Sequence, residues 1–108
     1  MNETIELQEL EGTEKQIAWA DEIRRNTIQN TENLAKAWSN GETELCYRLI
    51  EQSMIRAFNS PNSKSASFII DHRFSEGFNP EETLMRAERM AREKGVKTSD
   101  LLKELFKL

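Results

Sequence analysis

The chain has 108 residues, of which 37% are hydrophobic and 31% are charged, and its net charge at pH 7 is −4. This length fits one compact domain, and the acidic balance argues against a protein that coats nucleic acid non-specifically. The single cysteine, Cys46, excludes an internal disulfide framework, and no apolar run approaches the roughly 18 residues of a membrane span. The N-terminal residues lack the basic start and apolar stretch of a signal peptide, so we expect a cytoplasmic protein.

The acidity is concentrated at the N-terminus. The first fourteen residues contain five glutamates and no lysine or arginine, which leaves the rest of the chain close to neutral. Residues 1–12 are predicted to form an acidic N-terminal arm, either loose or docked through Ile5, Leu7 and Leu10. Residues 13–108 are predicted to form a single helical domain.

A first helix is predicted to begin after Thr13, because Thr-Glu-Lys-Gln is a capping-box pattern. The helix either runs unbroken to about Ser39 or breaks within the polar stretch 26–33. Trp19 and Trp38 are predicted to lie in the core, with a role as interface anchors as the alternative. The inward stripe is predicted to comprise Gln16, Trp19, Ala20, Ile23, Thr27, Asn30, Leu34 and Trp38, beside a weaker stripe of Ile17, Ile28 and Ala35.

Residues 43–58 form the most apolar predicted helix, which should therefore lie at the centre of a bundle. The short apolar run in residues 65–74 fits helix or strand, and its serine-rich start favours a helix. Asn79 and Pro80 cap a further helix that ends at Gly95. A last helix begins at Thr98-Ser99-Asp100. The predicted fold is all-α, a compact bundle of four or five helices.

No catalytic or metal-binding pattern appears in the sequence. Adjacent residues of a helix point about 100° apart, so Asp71 does not orient the only histidine, His72, for catalysis. His72 is predicted to lie at the surface. Cys46 is predicted to be a small core residue, because it is surrounded by apolar residues. We expect a protein that is not an enzyme and that uses no cofactor or metal.

Two segments are candidates for binding another protein. The arm places leucines among glutamates, which suits a basic partner surface, and a disordered tail is the alternative. The last helix carries more apolar side chains than a small core covers, which indicates a partner or a homodimer, and simple closure of the bundle is the alternative. The candidate protein-binding residues are Glu3, Glu6, Glu9, Glu11, Leu105 and Phe106.

A basic face is the candidate for an alternative role in binding nucleic acid. Its residues are Arg86, Arg89, Arg92 and Lys97. Glu82 and Glu93 share this face, which favours a solvated surface of local ion pairs. The last two helices resemble a helix-turn-helix in outline, but residues 99–108 are too apolar to enter a groove. Nucleic acid is therefore the less favoured partner.

Two segments resemble a family of small uncharacterised proteins from Gram-positive bacteria, their phages and mobile elements. Residues 11–24 are similar to its Gly-Ser/Thr-x-Lys-Gln-Ile/Val-x-Trp-Ala-x-x-Ile-Arg segment. Residues 66–73 are similar to its Ala-x-Trp-Trp-Ile-Asp-x-Arg segment, with Phe68 and Ile69 in place of the tryptophans. We also predict an ion pair between Arg24 and Asp71, one residue from each segment.

The resemblance implies a phage or mobile-element setting but carries no function of its own. Small acidic phage proteins without catalytic groups often act by occupying the surface of a host protein, as anti-CRISPR proteins do. The leading hypothesis is a non-catalytic protein-binding module, an inhibitor of a host defence nuclease, whose partner is a host or phage protein.

Overall fold

The computed structural model describes residues 6–38 and 41–108 and arranges them as five α-helices. The helices are α1 (Glu14–Ala37), α2 (Gly41–Phe58), α3 (Ala66–Asp71), α4 (Pro80–Lys94) and α5 (Thr98–Phe106), with short 3-10 helices at Pro61–Lys64 and Glu76–Phe78. Helix α1 packs on α2 and α3, while α5 packs on α2 and α4. The prediction of an all-α bundle is confirmed.

Local hydrogen bonds set the helix starts that the sequence predicts. Thr13 Oγ1 accepts from the Gln16 backbone N–H at 3.1 Å, and Gln16 Oε1 accepts from the Thr13 N–H at 3.0 Å. Asn79 Oδ1 accepts from two backbone N–H groups in the first turn of α4. Gly95 ends α4 with φ at 70°, in the left-handed region that favours glycine. Helix α1 is continuous, and the predicted stop at Ser39 and Asn40 lies outside the described residues.

Helix α2 lies at the centre of the bundle, as its composition predicts. It contacts α1, α4 and α5. Its buried side chains are Cys46, Tyr47, Leu49, Ile50, Met54 and Phe58. The Phe58 ring meets the Phe78 ring edge-on, with centroids 5.3 Å apart, so the core extends to the turn before α4.

The buried face of α1 differs from the predicted stripe. Trp19 and Trp38 are 47% and 56% exposed, so their predicted place in the core is wrong. The buried residues of α1 are Ala20, Arg24, Ile28, Thr31 and Ala35, which include two members of the weaker stripe. Small side chains allow α1 to pack closely on α2 and α3, and Thr31 is tolerated there because its hydroxyl donates to the Thr27 carbonyl oxygen at 2.8 Å.

Residues 6–12 form an extended arm that is docked on the helices. Leu10 is buried and Leu7 is partly buried against the core. The Glu11 N–H donates to the Lys64 carbonyl oxygen at 2.8 Å, and the Ala66 N–H donates to the Glu11 carbonyl oxygen at 2.9 Å. The arm was predicted to be either loose or docked, and residues 6–12 are docked. Ile5 lies outside the described residues.

Gln8 bonds the arm to the end of α2 and to the residues after it. Its side-chain amide donates to the carbonyl oxygens of Phe58 and Ser60, at 2.8 and 2.7 Å. Its backbone N–H donates to Asn59 Oδ1 at 2.8 Å. The bond to Phe58 gives a partner to a carbonyl group in the last turn of α2, where the helix itself supplies none.

Arg24, a residue of α1, connects that helix to the arm. Its side chain is buried, with Nε donating to Asp21 Oδ1 at 2.9 Å and a terminal nitrogen donating to the Gln8 carbonyl oxygen at 2.8 Å. Burial disfavours charge on Asp21, but hydrogen bonds from Arg25 and Arg24 outweigh it and lower the pKa of that carboxyl. The predicted pair between Arg24 and Asp71 is wrong, because the guanidinium turns to Asp21 and the arm while Asp71 is exposed.

Glu42 caps a helix to which it does not belong. Helix α5 follows Lys97, whose side chain makes no capping bond. The Glu42 carboxylate instead accepts from the Ser99 backbone N–H at 2.8 Å and from the Ser99 hydroxyl at 3.0 Å. The backbone bond is the main cause of a lowered Glu42 pKa and outweighs the effect of burial. A negative charge at a helix N-terminus is stabilising, so Glu42 ties α5 to the start of α2.

Replacing Arg24 with Met should release the arm. The Gln8 carbonyl oxygen would lose its buried donor, and we expect a loss of about 2 kcal/mol in the free energy of unfolding. Urea denaturation measures this loss, and a glutamate-specific protease should cut at Glu9 and Glu11 faster than in the parent chain. Arg25→Met is the matched control, because Arg25 also bonds Asp21 but is exposed and should contribute less than about 1 kcal/mol. Equal losses in the two variants would contradict the assigned role of Arg24.

Replacing Glu42 with Gln should destabilise the chain by about 1 kcal/mol, a value near the low end for charged hydrogen bonds because Glu42 is exposed. The folded-state pKa of Glu42 is lowered, so this stability is present at neutral pH and is lost as the pH falls from the ordinary glutamate pKa through the folded-state value. Urea denaturation across acidic pH measures the difference. Glu44→Gln, in the same turn, should show a smaller effect, and a Glu42 effect that persists in strong acid would argue against the charged cap.

Candidate protein-binding surface

Of the acidic residues predicted to bind a partner, Glu6, Glu9 and Glu11 are exposed along the docked arm. Glu3 lies outside the described residues. A groove of about 620 Å³ runs between the arm and α1, lined by Leu7, Leu10, Ile17 and Asp21 among others. The arm therefore holds its glutamates on the surface while its leucines face the helices.

The two predicted contact residues of α5 have different surroundings. Leu105 is 48% exposed. Phe106 packs partly buried against the core, and its carbonyl oxygen accepts from Arg56 at 2.7 Å. Phe106 thus helps to close the bundle, and Leu105 remains as the exposed apolar residue of the pair.

The predicted basic face is exposed on α4 and the turn after it. Arg86, Arg89, Arg92 and Lys97 are all exposed. Arg92 and Lys97 also line a groove of about 540 Å³ that includes Glu42 and Glu88. The two carboxylates reduce the positive potential that phosphate groups would meet in this groove.

A cluster at one end of α3 was not predicted from the sequence. The guanidinium carbon of Arg73 lies 4.8 Å from the Trp19 ring centroid and 4.5 Å from the Phe74 ring centroid. Both distances are within the range of a cation–π contact. Trp19 is about half exposed and Phe74 is 86% exposed, so the cluster faces solvent. These three residues are named the Trp19 surface below.

A small hollow adjoins the Trp19 surface. Its volume is about 270 Å³, and its lining includes Asn30, Arg73, Phe74, Asn79 and Glu81. Trp19 and Asn30 lie on the same side of α1, because eleven residues make about three helical turns. Arg73 therefore stands between the exposed rings and a hollow with polar walls.

The arrangement of Arg73 depends on the end of α3. Helix α3 ends at Asp71, and the Arg73 backbone N–H still bonds the Ile70 carbonyl oxygen at 3.4 Å. The side chain of Arg73 also donates to that oxygen, at 2.5 Å. The packing of α3 on α1 then brings Arg73 over Trp19. The sequence shows that Arg73 and Phe74 are neighbours. It does not show that Trp19 lies beside them, because Trp19 is more than fifty residues away in the chain.

Cys46 and His72 have different surroundings. Cys46 is buried, as predicted, and burial together with Glu42 and Glu88 raises its pKa to about 12. His72 is exposed, as predicted, and stacks on Phe68 with ring centroids 4.1 Å apart. Within residues 6–38 and 41–108, no group of three or more His, Cys, Asp or Glu side chains is placed to hold a metal ion. In the same ranges, no helix has the length and apolar character needed to cross a membrane.

Comparisons of the chain with protein-family models, curated proteins and solved structures each found no match. The resemblance to the phage and mobile-element family stays a prediction. Its two segments do adjoin one another in this fold. Glu11 pairs with Ser65 and Ala66 along the backbone, and Trp19 stacks on Arg73.

The Cys46 thiol should be unreactive in the folded chain. A pKa of about 12 leaves almost no thiolate at pH 8, and the sulfur is covered by the core. We expect a disulfide thiol reagent to label Cys46 more slowly than in urea-unfolded chain, by on the order of a hundredfold or more. Absorbance of the released thiol measures the rate. Rapid labelling under native conditions would contradict the buried placement.

Proposed function

We propose that this chain is a non-catalytic protein-binding module whose contact area is centred on the Trp19 surface. The observation that carries the proposal is the solvent-facing stack of Trp19, Arg73 and Phe74. Tryptophan and arginine are enriched among the residues that dominate binding energy at protein interfaces. An exposed tryptophan costs hydrophobic free energy in the free monomer, and a partner that covers the ring recovers it.

The stack is also organised before any partner arrives. Arg73 is held by two rings and by its bond to the Ile70 carbonyl oxygen. Side chains that are already ordered lose less conformational entropy on binding. The Trp19 surface therefore combines apolar area, a cation and low flexibility, which are features of an interface anchor.

The acidic arm supports a second contact area in the same function. Of its exposed glutamates, Glu9 lines the groove with Asp21 and Arg25, on the side of α1 away from Trp19. The proposal of an inhibitor of a host defence nuclease draws on the resemblance to phage and mobile-element proteins and on this acidic edge. Glutamates on an ordered arm are suited to a basic channel of such a partner.

The first experiment is a tagged pull-down from a Gram-positive lysate, with and without nuclease treatment. We expect a protein partner that survives nuclease and that is lost when Trp19→Ala and Phe74→Ser are combined. Trp38→Ala is the matched control, because Trp38 is similarly exposed but lies at the C-cap of α1, roughly 28 Å from Trp19 along the helix axis. Circular dichroism and a thermal melt check that each variant is folded.

Three outcomes separate the alternatives. Loss of the partner in Trp38→Ala as well as in the double variant would remove the special role of the Trp19 surface. A partner that depends instead on Glu6, Glu9 and Glu11 would assign binding to the arm. A partner that is no longer recovered after nuclease treatment, or when Arg86, Arg89 and Arg92 are replaced by Gln, would favour nucleic acid. Its binding affinity should then fall steeply as the salt concentration rises.

A further inference from the structure

Arg73 carries a charge that is not neutralised by any carboxylate side chain that the structure describes. Its side chain is half-buried beside the two rings and forms no ion pair with those carboxylates. The buried Arg24, by contrast, is paired with Asp21. A guanidinium that has lost part of its hydration without gaining a carboxylate has free energy to gain from an anionic ligand.

The stack leaves the edge of the guanidinium available. The two rings lie within cation–π distance of the guanidinium carbon, and the hydrogen-bond donors of the group lie in its plane. One donor is used by the Ile70 carbonyl oxygen. The remaining donors form the fork that binds a carboxylate with two parallel hydrogen bonds.

The hollow beside Arg73 gives such a carboxylate a place to enter. Asn30 lines it, and the Asn30 side chain makes no hydrogen bond to the side chains that the structure describes, so its amide is available as a second donor. Asn79 also lines it, with its side-chain oxygen engaged in capping α4. Glu81 adds a negative charge to the wall, which admits one carboxylate against Arg73 but opposes a run of anions.

We propose that the Trp19 surface binds an acidic segment of a protein partner. The edge of Arg73 accepts an aspartate or glutamate carboxylate, and the Trp19 and Phe74 rings cover the apolar side chains next to it. This inference rests on the proposed function and names the chemistry of the partner. Charge complementarity supports it, because Arg73 is the cation of the cluster and no carboxylate among the described side chains pairs with it.

Single-stranded nucleic acid also stacks on aromatic rings, but the charges favour a protein. Nucleic-acid binding draws on several cations that follow the phosphate backbone. Here Arg73 is close in sequence to the exposed Asp71, Trp19 to the exposed Glu22, and Glu81 lies in the hollow. With a net charge of −4 for the chain, a polyanion would meet repulsion on each side of Arg73.

The test is selection from a displayed library of short random peptides on the immobilised full chain. Affinity is then measured by tryptophan fluorescence in a Trp38→Phe background, where Trp19 is the only tryptophan. We expect enriched peptides to carry Asp or Glu beside an apolar residue. Changing that acid to its amide should weaken binding by about tenfold or more, the range for charged hydrogen bonds. Single-stranded oligothymidine is titrated as the nucleic-acid probe.

Variants of Arg73 give the second measurement. Arg73→Met keeps apolar contact with the rings and should weaken acidic peptides about as much as the amide change does, whereas their amide forms should bind both chains alike. Arg73→Lys keeps the charge without the fork and should fall between. Arg48→Met is the control, because the ion pairs of Arg48 with Glu44 and Glu51 lie within α2, and the substitution should leave binding unchanged.

The outcomes distinguish this inference from the proposed function. The carboxylate partner would be overturned by peptides that need Trp19 but contain no acidic residue. It would also be overturned by acidic peptides whose affinity for Arg73→Met equals their affinity for the parent chain. Either result would leave the binding surface in place. No Trp19-dependent peptide at all would overturn both. Oligothymidine binding that is lost in Arg73→Met would replace the acidic segment with nucleic acid.

Discussion

The bond between the buried Arg24 side chain and the Gln8 carbonyl oxygen organises one side of the molecule. It fixes the arm along α1, which lets Leu10 enter the core and lets Gln8 reach the Phe58 carbonyl group at the end of α2. The arm in turn bonds the first residue of α3 through Glu11. Because α3 is positioned in this way on α1, Arg73 meets Trp19. A buried charge is thus retained where it holds three segments together.

The fold follows from local signals that the sequence contains in full. Thr13 and Gln16 cap α1 and Asn79 caps α4, and the apolar character of α2 indicates its central place. Each of these depends on residues within one or two turns of each other. The predicted fold class was therefore confirmed, and the helix starts at Thr13 and Asn79 with it.

The buried face of α1 shows where such reasoning stops. Ranking side chains by apolar character selects Trp19 and Trp38, but close packing of two helices selects small residues such as Ala20 and Ala35. Arg24 is buried because its donors are satisfied by groups that the sequence does not place beside it. Glu42 and Ser99 are likewise 57 positions apart, so their bond is visible only in three dimensions. The candidate site was missed for the same reason, since Arg73 belongs to it only through contact with α1.

The close approach at Gly12 has a consequence for how the chain assembles. Gly12 has a φ of 148°, and a Cβ there would lie 2.9 Å from Gln16 Oε1 and 3.3 Å from the Ala66 Cβ, so the arm lies close to the starts of both α1 and α3. During synthesis the arm emerges before residues 58–66, which supply its docking site. The arm and its docking site are about fifty positions apart, so docking requires the ends of a long loop to be brought together. The segment that is made early therefore has no complete binding site until residues 58–66 have also been made.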